Sequence, residues 1–284
     1  MKRYLILLVF AASFLFVSNV SAAQDPNFYV FLCFGQSNME GFPGTIQEQD
    51  KTVDSRFQML AAVDFPDMNR EKGKWYTAVP PLCRPGCGLC PADYFGRTLV
   101  ANLPENIKVG VINVAVAGCK IECFEKDTYQ EYVSTSAGWL QNIVKQYDGN
   151  PYQYLVDLGK KAQAEGGVIK GILLHQGESN SGDKQWPTKV AGIYNNMIKD
   201  LNLKPEEAPL IVGQLVGGSM SQIMDELPKQ VPTAHIISSA GCGNIGVHFN
   251  SQGYRLLGTR CGEEMLKLLG YEVKKTEEPA AASN

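Results

Sequence analysis

The chain predicts a three-layer α/β/α sandwich around a five-stranded, mostly parallel sheet, and three observations predict it. Five short, nearly continuous apolar runs recur along the sequence, stretches of helical periodicity separate them, and neither an internal repeat nor a linker divides the chain. Continuous apolar runs suit strands buried on both faces, and parallel neighbours need helical crossovers of right-handed sense.

The runs are residues 28–34, 108–114, 168–174, 209–215 and 234–239. Residues 91–100 read as a helix because Pro91 and Asp93 supply a first-turn start signal. Residues 151–164 place Tyr152, Leu155, Leu158 and Ala162 on one face, and residues 187–201 repeat the pattern with Val190, Ile193, Tyr194, Met197 and Leu201. A last helix over 250–269 is expected to face Leu256, Leu257, Cys261, Met265 and Leu268 inward. Residues 42–90 and 119–150 lack a clear period and are expected as long loops over the C-terminal strand ends, where open α/β sheets bind ligands.

With 284 residues, 44% hydrophobic and 19% charged, the composition is globular and excludes a wholly disordered chain. A net charge of -3 argues against a nucleic-acid binder working through a basic surface. Lys2 and Arg3, an apolar stretch over 4–17 and the small residues before Ala23 read as a signal peptide over 1–23. The remaining chain divides into one domain over 24–272 and a polar tail over 273–284. Export to the periplasm or the extracellular space follows from the signal, and no second apolar stretch suggests stable membrane insertion. All eight cysteines, Cys33, Cys83, Cys87, Cys90, Cys119, Cys123, Cys242 and Cys261, lie beyond the signal. In an exported chain an even count points to disulfides, with metal binding by the cluster over 83–90, completed by Cys119 and Cys123, and free buried thiols as the alternatives.

Polar residues gather at the ends of the apolar runs. The first run leads into Gly35-Gln36-Ser37-Asn38-Met39, where a serine at a strand-to-helix turn is either a helix cap or a nucleophile. The second leads into Gly118, whose glycine makes a turn or brings its N–H to a reacting oxygen. The third ends in His175-Gln176-Gly177-Glu178, four residues that are costly beside an apolar strand unless satisfied or used. His248 precedes the last helix, as a cap or a general base. Of the other two histidines, His235 lies inside an apolar strand and is poorly placed for catalysis.

Taken together, Gly-Gln-Ser-Asn-Met, Gly118, His-Gln-Gly-Glu and His248-Phe249 resemble the SGNH hydrolase superfamily, most closely its sialate O-acetylesterase-like branch, which includes the acetylxylan esterases of carbohydrate esterase family six. The resemblance spans about residues 28–270 and implies a flavodoxin-like fold and a secreted carbohydrate O-acetylesterase acting on an acetylated glycan, with no cofactor and no metal. It implies Ser37 as nucleophile, His248 as base, and an oxyanion hole of the Ser37 N–H, the Gly118 N–H and the Gln176 side chain. The superfamily usually carries an Asp three residues before the base, where this chain has Ile245, so Glu178 is expected to complete the triad in its place. An unsupported Ser–His dyad and a non-catalytic sugar-binding protein on the same scaffold are the alternatives. Arg84, Asn38 and Trp186 are candidates for substrate binding, and Trp139, Tyr129, Tyr132 and Tyr194 offer further flat faces for sugar rings.

Overall fold

The computed structural model describes residues 23–274, so the expected signal peptide and most of the polar tail lie outside the described residues. In chain order the elements are β1 (Phe28–Gly35), α1 (Ser37–Glu40), α2 (Glu48–Lys51), β2 (Phe57–Leu60), β3 (Trp75–Thr77), α3 (Pro91–Asn102), β4 (Lys108–Ala115), α4 (Tyr129–Thr135), α5 (Gly138–Lys145), α6 (Pro151–Ala164), β5 (Val168–His175), α7 (Trp186–Asp200), β6 (Leu210–Gly213), α8 (Ser221–Met224), α9 (Leu227–Gln230), β7 (Ala234–Ile237), β8 (Asn244–Ile245), β9 (His248–Phe249) and α10 (Ser251–Leu268).

One sheet of seven strands, ordered β3-β2-β4-β1-β5-β6-β7, forms the middle layer, parallel throughout except for β3. The five expected strands form five consecutive positions, and the sheet extends beyond them by β2 and the antiparallel edge strand β3, both inside the region expected as loop. The second expected loop region contains α4 and α5. Strand β1 lies at the centre, in register with β4 from Phe28↔Lys108 to Gly35↔Ala115 and with β5 up to Gly35↔His175. Its successive side chains face opposite layers. Phe31 meets Phe95 of α3 edge to face at 5.0 Å, whereas Val30 faces the end of α6.

Helices α3 and α10 pack on each other over one face, and α6 and α7 cover the other, joined by the Tyr152 hydroxyl donating to Asp200 at 2.7 Å. Gly258 of α10 permits the first contact, since a Cβ there would lie 2.4 Å from the Pro91 carbonyl oxygen. Leu257, Cys261 and Met265 face inward as expected, but Leu256 is only half-buried and Leu268 is exposed, because Tyr254 and Leu266 take the inner positions of their turns.

All eight cysteines are free thiols, six of them buried, so the expected disulfides are not present. The thiols fill apolar space as small hydrophobes: Cys33 lies inside β1, and burial pushes its thiol far above the ordinary range. Among the described residues no helix is long and apolar enough to cross a membrane.

Candidate active site

Strands β1, β4 and β5 end level with one another, at Gly35, Ala115 and His175, and the polar turns that follow them meet at one rim of the sheet. The approach at β1 and β5 is close. A Cβ on Gly35 would lie 2.0 Å from the His175 carbonyl oxygen, which instead accepts from the Gln36 N–H at 3.1 Å. Gln36 then binds the β5 turn through its side chain, whose Oε1 accepts from Gln176 Nε2 at 3.1 Å and from the Gly177 and Ser179 N–H groups at 3.3 Å each. These bonds fix two turns separated by about 140 residues of sequence, and Gln36 was not among the candidates that the sequence offers.

Ser37 opens the single turn of α1 and is 6% exposed. Its Oγ lies 2.9 Å from Nε2 of His248, which arrives on the β8–β9 hairpin immediately before α10. The serine does not cap the helix, since Gln36 holds that position, and His248 does not cap α10, whose cap is the Asn250 side chain accepting from the Gly253 N–H. Burial lowers the His248 pKa from its ordinary 6.5, against the nearby Glu178 carboxylate, which raises it. A ring so placed is neutral near pH 7 and can accept the serine proton.

Glu178 stands beside this pair. Its Oε1 accepts from Asn38 Nδ2 at 2.5 Å and lies 3.8 Å from His175 Nδ1, while its Oε2 is buried with no partner among the described residues. The His175 ring donates its Nε2–H to the Gln214 carbonyl, 3.2 Å away, and meets Phe249 edge to face at 5.5 Å. His175 therefore packs beneath the site and does not reach Ser37. His235 bonds Glu264 of α10 at 3.0 Å, away from the strand ends.

The Gly118 turn approaches from the other side. Gly118 has φ +65, and a Cβ on it would lie 2.6 Å from the indole of Trp139. Neither the Ser37 nor the Gly118 N–H has an acceptor among the described residues. Its carbonyl accepts from Ser179 Oγ at 2.9 Å, and the preceding Ala117 N–H donates to Glu40 Oε1 at 3.3 Å. Glu40 is buried and also accepts from Arg84 Nε at 2.8 Å and Nη2 at 2.5 Å. Burial raises the Glu40 pKa and Arg84 opposes it.

Several sequence candidates do other work than expected. Gln176 is fully buried; its Nε2 has Gln36 Oε1, the Cys119 carbonyl and Asn180 Oδ1 within 3.1 Å, and its Oε1 accepts from Trp186 Nε1 at 2.6 Å. With three acceptors around two N–H bonds, no donor is left for a substrate oxygen. Trp186 is 0% exposed and cannot be a sugar platform. Asn38 is equally buried and fully committed. Nδ2 donates to Glu178 and to the Val247 carbonyl at 3.1 Å, and Oδ1 accepts from the Phe249 N–H at 3.0 Å and the Tyr254 hydroxyl at 2.9 Å. It binds the carboxylate and the hairpin carrying His248 to the serine turn, and it does not face solvent. Arg84 is engaged by Glu40. Tyr194 is buried, and the Tyr132 hydroxyl accepts from the Lys120 N–H.

The comparisons agree with this architecture. Residues 27–267 match the family model for carbohydrate esterase, sialic acid-specific acetylesterase. A solved protein from Arabidopsis thaliana shares 20% identity at TM-score 0.66, covering 85% of this chain and 99% of that one. NanS shares 15% identity at TM-score 0.59, covering 86% and 98%. A carbohydrate acetylesterase from Xanthomonas citri shares 18% identity at TM-score 0.57; the match covers 84% of this chain and 56% of that one. At these identities the structures establish a common fold.

Proposed function

The chain belongs to the sialic acid-specific acetylesterase family of carbohydrate esterases, and from that premise we propose that it is an exported carbohydrate O-acetylesterase working through a serine acyl-enzyme. The observation that carries the mechanism is the 2.9 Å separation of Ser37 Oγ and His248 Nε2 at the C-terminal rim of the sheet. Neutral His248 takes the serine proton as Oγ adds to the ester carbonyl carbon. The negative charge on the carbonyl oxygen is met by the unpaired N–H groups of Ser37 and Gly118, each such donor contributing about 100–1,000-fold in rate. The tetrahedral intermediate collapses as the bond to the sugar oxygen breaks, and His248 returns the proton to that oxygen. Water then attacks the acetyl–serine ester by the same route in reverse and releases acetate.

Glu178 is the acid of this triad. Its Oε2 is a buried carboxylate oxygen without a partner among the described residues, and its charge already acts on His248. Accepting the Nδ1–H of His248 would satisfy that oxygen, fix the tautomer that leaves Nε2 free for serine, and stabilise the imidazolium. Gln176 serves this site from below, by holding the β5 turn through Gln36 and Trp186. Export rests on the leader-like residues 1–23 and on nothing in the fold. The defining experiment is acetate release from 4-nitrophenyl acetate and from acetylated oligosaccharides by Ser37→Ala. Loss of both activities with an unchanged circular dichroism spectrum supports the assignment; wild-type rates in the variant overturn it.

A further inference from the structure

Five large apolar side chains are exposed among the described residues: Phe42, Trp139, Ile245, Val247 and Leu268. Two of them flank the base. Phe42, 56% exposed, sets its ring edge to face against the His248 imidazole at a centroid distance of 5.3 Å. Ile245, 66% exposed, is the cross-strand partner of His248 in the β8–β9 hairpin, so both side chains stand on the same side of it. Nothing in the fold requires this exposure, and exposed apolar surface gathered at a functional rim marks a contact made with something else.

The chemistry of the reaction says what that contact is. The imidazolium must hand its proton to the departing alcohol, so the leaving group sits against His248, and whatever flanks the ring meets the sugar. The charge around the site says what kind of sugar. The segments 35–43, 115–120, 175–180 and 241–250 contain no arginine and a single lysine, Lys120. The guanidinium of Arg84 is taken by Glu40, a pair whose charges cancel, and Glu178 leaves a carboxylate at the same rim. A sugar carboxylate would find no free planar donor pair there.

Resting on the esterase reading above, we propose that Phe42 and Ile245 form an apolar platform for the C–H face of an O-acetylated neutral pyranoside, and that the site discriminates against acetylated sugars bearing a carboxylate. Phe42 supplies the flat face and Ile245 extends it along the hairpin, at the position where related enzymes carry an acid.

The test compares kcat/KM on three acetyl esters: acetylated xylo-oligosaccharide, 9-O-acetyl-N-acetylneuraminic acid and 2-hydroxyethyl acetate, which carries no ring. The wild-type enzyme should prefer the neutral sugar over the sialate. In the double variant Phe42→Ala with Ile245→Ser, the ratio of neutral-sugar to 2-hydroxyethyl acetate activity should fall roughly tenfold, mainly through KM, the scale of one lost aromatic contact. Phe42→Tyr should restore the ratio. An unchanged ratio, or equal or greater activity on the sialate, would each overturn the platform while leaving the esterase intact. Activity retained by Ser37→Ala would instead remove the esterase reading itself, so the two failures are distinguishable.

Discussion

Ser37 and His248 touch, but the segments that present them are built in opposite ways. The serine turn leaves the central strand of the sheet, and every residue from Val30 to Gly41 is buried. His248 rides on a hairpin of two residues per strand, whose Asn244, Ile245 and Val247 are exposed. A strand end buried between two neighbours has nowhere to go. A short surface hairpin has little packing of its own and must be held by bonds to something rigid. Asn38 is that connection: one buried side chain accepts from the hairpin at Phe249, donates to it at Val247, and donates to Glu178. The position of His248 thus depends on a residue adjacent to Ser37, and the two halves of the site are set together although 211 residues separate them.

The largest effect that would break this comparison is expected at the carboxylate. Glu178→Gln keeps the shape and the bond to Asn38 but removes the charge that supports the imidazolium. kcat should fall roughly 1,000–10,000-fold, the scale seen when the acid of such a triad is made an amide. Far-ultraviolet circular dichroism and the thermal midpoint should remain close to wild type. Near-wild-type kcat would show that Ser37 and His248 act as a dyad and that the geometry of the hairpin alone orients the ring.

Asn38→Ala addresses the connection itself. It leaves the buried Phe249 N–H and part of Glu178 without partners, and unsatisfied buried groups cost about 1–3 kcal/mol each. A loss of about 2–4 kcal/mol in urea unfolding is expected from those groups together. A displaced base should also lower kcat by about 100-fold, as misplacement near 1 Å commonly does. If stability falls and kcat does not, the hairpin is held by its own packing and Asn38 is structural only.

How much of this was legible in the sequence follows from the range of the interactions involved. The five long apolar runs were visible because a central parallel strand is apolar on both faces. β2 was not, since Gln58 interrupts a strand of only four residues, and β3 was not, since Trp75–Thr77 is a half-buried antiparallel edge. The positions of Ser37, Gly118, Glu178 and His248 at strand ends were legible from local pattern and resemblance. The work of Asn38, Gln36, Gln176 and Trp186 was not, because it consists of hydrogen bonds to partners up to 216 residues away. A tryptophan or an asparagine near a catalytic motif looks the same in sequence whether it faces a ligand or the core. The cysteines misled for a related reason: their even number says nothing of whether each thiol meets another or an apolar wall, and here the buried thiols fill the interior.

The smallest expected effect is a shift in pH dependence, and it separates the two influences on the base. Burial disfavours the charged imidazolium and lowers the His248 pKa below 6.5, whereas Glu178 favours it and raises the value. Activity requires the neutral ring, so the acid limb of kcat/KM for the wild-type enzyme should have its midpoint below pH 6.5. Removing the anion in Glu178→Gln should move the residual activity's limb to still lower pH. Phe42→Ala should move it the other way, toward 6.5, because the ring that shields one edge of the imidazole is gone and water reaches it. Profiles of kcat/KM on 2-hydroxyethyl acetate, taken on all three proteins, measure both shifts. Opposite displacements identify His248 as the titrating base, poised between a largely buried carboxylate on the rigid side of the site and an exposed aromatic ring at its open rim. Coincident limbs in the three proteins would mean that another group controls the profile.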